Sequence, residues 1–256
     1  MKKVLLALTA LAALTGSASA ADLAARPSTK AAAPVAYAPS WTGCYLGAGG
    51  GGAMTNNDNN VFFTAGGAPA TRNQTSGARG WFGTVQGGCD YQFAGNWVVG
   101  AFADYDFMDV KGDAQLFPGF VGQQKQDWQW AVGARVGYLI FPQLLTYVSG
   151  GYTQGHWKSS NLSPFGLAPV LTSPGFTKNG WFIGTGDEYA LNFLPGLFWK
   201  TEYRYSEFDR ASVTLNDFVT GVPVGFSTTQ KVREQSVRSE LVYRFNWGGA
   251  PIAAKY

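Results

Sequence analysis

The sequence predicts an all-β fold: an eight-stranded antiparallel up-and-down transmembrane β-barrel with long outer loops and short periplasmic turns. Three observations predict it. Of 256 residues, 46% are hydrophobic and 15% aromatic, but only 14% are charged, with 34 glycines. A soluble domain carries about 25% charge, so this chain has too little to cover an ordinary water-facing surface. From Trp41 onward, eight segments alternate apolar and polar residues over lengths near the roughly 9 to 11 residues of a tilted membrane strand. The connections alternate long and short, which suits a membrane barrel and which a soluble sandwich has no reason to adopt. The 9 Trp, 12 Tyr and 18 Phe exclude a disordered chain. No apolar run approaches the roughly 20 residues of a membrane helix.

The amino terminus supplies the compartment. Lys2 and Lys3 precede an apolar stretch from Val4 to Thr15 that is too short to span, and Ala18-Ser19-Ala20 fits a cleavage site. Residues 1–20 therefore read as a signal peptide. Residues 21–40, with Pro27, Pro34 and Pro39, read as a flexible Ala/Pro-rich periplasmic lead. The barrel is expected over 41–247, with a tail at 248–256. Without Lys2 and Lys3 the 19 basic residues lose two, one more than the 16 acids, a balance that gives no support for nucleic-acid binding.

The strands are placed near Trp41 to Ala53, Gly80 to Phe93, Trp97 to Asp109, Gln126 to Ile140, Leu144 to Lys158, Asn179 to Leu191, Leu197 to Asp209 and Lys231 to Trp247. Long connections fall near Met54 to Arg79, Val110 to Lys125, Ser159 to Lys178 and Arg210 to Gln230. Short ones are Ala94-Gly95-Asn96, Phe141-Pro142-Gln143 and Asn192 to Gly196. Side chains alternate across a strand, so the second strand sets Trp81, Val85, Cys89, Tyr91 and Phe93 against Thr84, Gln86, Asp90 and Gln92. The fourth sets Trp128, Trp130, Val132, Val136 and Tyr138 against Asp127, Gln129 and Arg135. An eight-stranded barrel encloses room only for side chains of moderate size, so the Trp- and Tyr-rich face must look outward to lipid. Closure also removes the unpaired backbone edges that hydrocarbon would not tolerate.

Several stretches carry a family resemblance. The Ala21-Asp22-Leu23 start, Trp41-Thr42-Gly43 with Tyr45, and Gly87-Gly88-Cys89-Asp90-Tyr91 before Asn96-Trp97-Val98-Val99-Gly100 are three of them. Glu202-Tyr203-Arg204-Tyr205 and the Tyr243-Arg244-Phe245-Asn246-Trp247-Gly248-Gly249 ending are the others. Together they resemble the small outer-membrane β-barrel family, which includes immunogenic surface proteins often labelled porin-family proteins and is related in shape to the OmpA membrane domain. The resemblance implies an outer-membrane location, a role in envelope architecture and no catalytic residues to transfer. It implies outer-membrane lipids and lipopolysaccharide as surroundings, and the barrel-assembly machinery as a partner during insertion. Asp187 departs from the pattern: it shares the lipid-facing parity of Trp181, Ile183 and Tyr189, so it is expected near the periplasmic rim or beside a bulge. The tail after Trp247 is a second departure.

The polar parity places Asp90, Asp104, Asp106, Glu188, Glu202 and Glu240 with Arg135, Lys200, Arg204, Arg238 and Arg244 inside the barrel. Unpaired charges in a narrow lumen are expensive, so a mutually paired plug is expected, with a narrow ion path lined by the same charges as the alternative. Cys44 follows the start of the first strand and Cys89 precedes the end of the second. Antiparallel neighbours bring both to one height in an oxidising compartment, which favours a disulfide over two free thiols. Gly47-Ala48-Gly49-Gly50-Gly51-Gly52 formally matches G-x-G-x-x-G, but the dinucleotide motif needs a following helix, and Asn56-Asn57-Asp58-Asn59-Asn60 reads as a loop. His156 lies beside Lys158, Ser159 and Ser160. A general base would need a nucleophile and an orienting partner that the sequence does not specify, so a rim role is expected. Phe62, Phe63, Phe117, Phe120, Phe165 and Phe176 sit in otherwise polar outer segments, either folded over the mouth or facing another surface. No cofactor, metal or enzymatic activity is expected. A structural barrel with surface loops is the favoured reading, and a narrow porin-like channel for small ions or solutes is the alternative.

Overall fold

The computed structural model describes residues 39–245 except 115 and 118. The signal peptide, nearly all of the lead, Trp247 and the tail lie outside the described residues. Eleven strands follow in chain order: β1 (Gly43–Phe63), β2 (Gln74–Phe93), β3 (Trp97–Asp113), β4 (Phe120–Phe141), β5 (Leu144–Trp157), β6 (Ser160–Pro164), β7 (Leu171–Ser173), β8 (Phe176–Ala190), β9 (Leu197–Phe208), β10 (Ala211–Asp217) and β11 (Pro223–Phe245). β1, β2, β3, β4, β5, β8, β9 and β11 form an antiparallel ring closed by β11 on β1, so the expected eight-stranded barrel is what the chain forms.

The alternating faces sort as expected except at Asp127, which a register shift between Gln126 and Trp128 turns away from the lumen face of Gln129 and Arg135, so that Gln126 is buried there instead. Trp81, Val85 and Tyr91 are exposed on the outside of β2, while Phe82, Thr84, Gln86 and Asp90 are buried inside. Tyr91 lies ten residues from Trp81, and at about 3.3 Å per residue with a tilt of roughly 35–45° that separation spans about 25 Å, the height of an apolar membrane band. Ala94-Gly95-Asn96 reverses the chain between β2 and β3 with positive φ at Ala94 (47°) and Gly95 (80°), and glycine takes that backbone at no steric cost. Asp187 faces outward three residues before the periplasmic end of β8, with unbroken register to β5 and β9. Thr146 Oγ1 donates to its Oδ1 at 2.5 Å. Of the two expectations for this residue, proximity to the rim is the one met.

The outer connections depart from expectation. Much of what reads as loop is strand: β1 pairs with β2 out to Asn59–Gln74 and with β11 out to Phe63–Phe226. β6, β7 and β10 continue the lines of β5, β8 and β9, and they pair β4 to β6, β6 to β7, β7 to β10 and β10 to β11. The asparagine run is a poor strand former by composition, but its alternate amides find partners. Asn57 Nδ2 donates to Gln124 Oε1 at 3.2 Å and Asn59 Nδ2 to Ser76 Oγ at 3.0 Å. The extension has its own apolar filling of Val61, Ala114, Leu116, Leu162 and Leu215, with Phe117 and Phe120 packed against it. Phe176 packs on Trp157, with ring centroids 5.1 Å apart, whereas Phe165 stays exposed.

Candidate functional site

The candidate site is the lumen. Each of the eight ring strands contributes a side chain to it because their inward parities converge on one axis. At the periplasmic end Asp90 (β2), Arg135 (β4), Glu188 (β8) and Arg244 (β11) form a closed ring of alternating charge. Arg135 Nε donates to Asp90 Oδ1 at 3.0 Å and Arg135 Nη1 to Glu188 Oε2 at 2.9 Å. Arg244 Nη2 donates to Glu188 Oε1 at 2.7 Å, and Arg244 Nη1 lies 2.7 Å from Asp90 Oδ2. Above this ring, Glu202 takes Tyr147 Oη at 2.8 Å and Arg204 Nε at 2.8 Å. Arg204 also holds Asp104 through two bonds of 3.1 and 2.9 Å. Lys200 donates to Gln86 Oε1 at 2.8 Å and lies 3.8 Å from Glu240, which Gln86 also contacts. Arg238 closes the next level on Asp106 at 3.0 Å and on Asp104 at 3.5 Å. All eleven lumen charges named from the sequence are between 0% and 5% exposed.

The inside is also aromatic. Trp41, Tyr45, Phe102, Tyr147, Phe182 and Phe198 are buried among the charges. The guanidinium of Arg204 lies 4.3 Å from the Phe182 ring centroid, and those of Arg135 and Arg244 each lie 4.9 Å from that of Tyr45. Such contacts stabilise a cation away from water. The inward glycines make the room: a Cβ at Gly133 would stand 2.7 Å from the Phe182 ring. At the periplasmic mouth Trp41 donates its indole N–H to Pro142 O at 3.0 Å and packs on Phe198, with centroids 4.8 Å apart.

One lumen charge escaped the sequence reading. Glu234, buried on β11, shares the inward parity of Arg238 and Glu240, and continuing that alternation by two pairs would have found it. The Gln129 amide, with its nitrogen toward Glu234, donates to both carboxylate oxygens at 3.3 Å. Further out, Gln124 Nε2 donates to Gln230 Oε1 at 2.7 Å, so the filling passes from ion pairs to amides and then to the apolar core of the outer extension.

Outside the lumen, Cys44 and Cys89 stand directly opposite each other in the β1–β2 ladder and form a disulfide. His156 Nδ1 lies 2.5 Å from Asp127 Oδ1, and its ring stacks on Trp128 at 5.4 Å. It thus has an orienting carboxylate that the sequence did not indicate. Among the described residues no hydroxyl is hydrogen-bonded to the imidazole.

No family model matches the chain. The solved structure of OprG from Pseudomonas aeruginosa matches with a TM-score of 0.46 at 13% identity, covering 82% of this chain and 100% of that one. Neisserial surface protein A matches with a TM-score of 0.40 at 13% identity, covering 80% and 98%. A protein of Brucella melitensis biotype 1, the 31 kDa outer-membrane immunogenic protein, is 31% identical over 252 residues, 96% of this chain and 100% of the relative. With that identity over nearly its full length, the chain belongs to the family of the 31 kDa outer-membrane immunogenic protein, and it is an integral β-barrel of the outer membrane.

Proposed function

We propose that the protein is a structural component of the outer-membrane envelope: a filled barrel that contributes to envelope integrity and presents its outer segments at the cell surface, where they act as antigen. The observation that supports this reading is the Asp90–Arg135–Glu188–Arg244 ring, whose charges are spent on one another and packed under aromatic rings. A conducting path needs charged groups that face passing ions and water. The narrow porin-like channel would require this ring to open. Insertion through the barrel-assembly machinery and residence among outer-membrane lipids and lipopolysaccharide belong to the same proposal. Deleting the gene tests the structural role: the strain is expected to become sensitive to detergents and bulky antibiotics and to regain resistance with the wild-type gene. A deletion strain with an unchanged permeability barrier would contradict it.

A further inference from the structure

The outer face of β2, β1 and β11 carries two recesses in line. The lower is a groove of about 630 Å³ lined by Gly52, Met54, Trp81, Tyr203 and Val237, with Arg79 at its outer end. That volume is in the range of small-molecule sites, roughly 300–1,000 Å³. Trp81 forms an exposed wall, and the floor is open because Gly52 has no side chain: a Cβ there would meet nothing closer than 3.9 Å. The upper recess, about 370 Å³, is polar and includes Asp58, Asn60, Thr75, Arg210, Lys231 and Arg233.

The ladders fix how the two relate. Gly52 pairs with Trp81 and Val237, Met54 with Arg79, and Asp58 with Thr75 and Lys231, with no register shift between them. Residues 52, 54, 58 and 60 therefore share the outward face of β1. Six residues separate Gly52 from Asp58, about 20 Å of strand at roughly 3.3 Å per residue. With Trp81 at the outer edge of the apolar band, the groove thus lies where acyl chains meet headgroups, Arg79 stands just outside it, and the polar recess lies among headgroups. The charge is also graded. Lys231 and Arg233 engage Glu207 at 2.6 and 3.6 Å, and Arg233 engages Asp58 at 2.8 Å. Arg79 and Arg210 have no ion-pair partner among the described residues. Four cations thus meet two carboxylates, and two guanidiniums are left for an outside anion.

We propose that this face is a binding site for an acylated anionic glycolipid of the outer leaflet. One acyl chain lies in the groove beside Trp81, and anionic groups of the sugar headgroup, phosphates or carboxylates, are held at two separate points, one by Arg79 and one by Arg210. Guanidinium is suited to this work because its planar fork matches phosphate bidentately.

Native mass spectrometry of the refolded full-length protein tests the site, with bis-phosphorylated lipid A, its dephosphorylated form and its deacylated sugar bisphosphate as probes. Heat-modifiable migration serves as the folding control for each variant. Wild type is expected to retain bis-phosphorylated lipid A in preference to the other two probes. Arg79→Gln with Arg210→Gln should weaken that retention by about tenfold, the loss of charge-assisted hydrogen bonds. Gly52→Leu, which fills the groove from the half-buried outward position at its floor, should weaken it by about fivefold through lost apolar contact. Retention unchanged in the double arginine variant would overturn the proposal. So would equal binding of the deacylated sugar together with indifference to Gly52→Leu, which would mean a headgroup site without a lipid groove. Both results leave the structural role of the barrel untouched.

Discussion

Arg135 and Arg244 reach the lumen from β4 and β11 and grip the same two carboxylates, Asp90 and Glu188. The ring ties four strands that are not neighbours in the wall, so it braces the barrel across its axis in a way that backbone ladders cannot. Removing one partner leaves an uncompensated buried charge, which costs about 3–5 kcal/mol. Arg135→Ala is expected to lower the stability of refolded protein by that order in urea titrations. Combining it with Asp90→Ala should recover part of the loss, as a double-mutant cycle measures. Strict additivity of the two would mean that the pair is not energetically coupled.

The Cys44–Cys89 bridge lies at the same end, on the outer face of β1 and β2, and spans a sequence separation of 45. Closing a loop of that size restricts the unfolded chain and stabilises by about 2–4 kcal/mol. Cys44→Ser with Cys89→Ser should lower the unfolding midpoint accordingly while heat-modifiable migration persists, because the ladder itself sets the register. Alkylation of two thiols in unreduced wild-type protein, read by intact mass, would refute the bridge.

The outer extension should yield before the membrane barrel does. Leu162 and Leu215 are fully buried in its separate apolar cluster, and truncating a buried leucine costs about 2–5 kcal/mol. Leu162→Ala or Leu215→Ala is expected to expose the segments between β5 and β8 to trypsin and leave a protected membrane core. Global unfolding in either variant would show that the two layers are one cooperative unit.

Acid should loosen the same extension. Asp58, above the membrane, is held below the usual carboxylate range mainly by the hydrogen bond from Arg233, with a further one from Thr75. A depressed carboxyl contributes stability above its unfolded pKa, and that contribution disappears as pH falls through the folded value. Both side chains are partly exposed, so the effect is local and salt-sensitive. Protection of the amides in the outer half of β1, measured relative to the intrinsic exchange rate at each pH, should fall below about pH 4, near the unperturbed aspartate pKa, and Asp58→Asn should show the lower protection at neutral pH. Protection that does not change with pH in wild type would contradict the linkage.

How much of this was legible follows from what alternation can encode. Trp81, Val85 and Tyr91 against Gln86 and Asp90 reveal both strand and sidedness, because lipid and a narrow lumen select opposite chemistries. The facing of Cys44 and Cys89 follows from hairpin order alone. Phe102 and Phe182 share the inward parity of Asp104 and Glu188, so alternation places them in the lumen; what it does not reveal is that both rings pack on Arg204, or that Trp41, ahead of β1, packs on Arg244, because those contacts join strands distant in sequence. Asn57 and Asn59 read as loop because their strand state depends on Gln124 and Ser76, residues distant in sequence. The Asp127–His156 contact likewise joins β4 to β5 and has no local signature.

A lumen sealed by its own charges, as proposed above, does not conduct ions. Single-channel recording of the refolded protein in planar bilayers tests this most directly. Wild type is expected to give no reproducible conductance steps, whereas Arg135→Ala with Arg244→Ala, which dismantles the ring, is expected to give them. Reproducible, ion-selective steps from the wild-type protein would contradict the account.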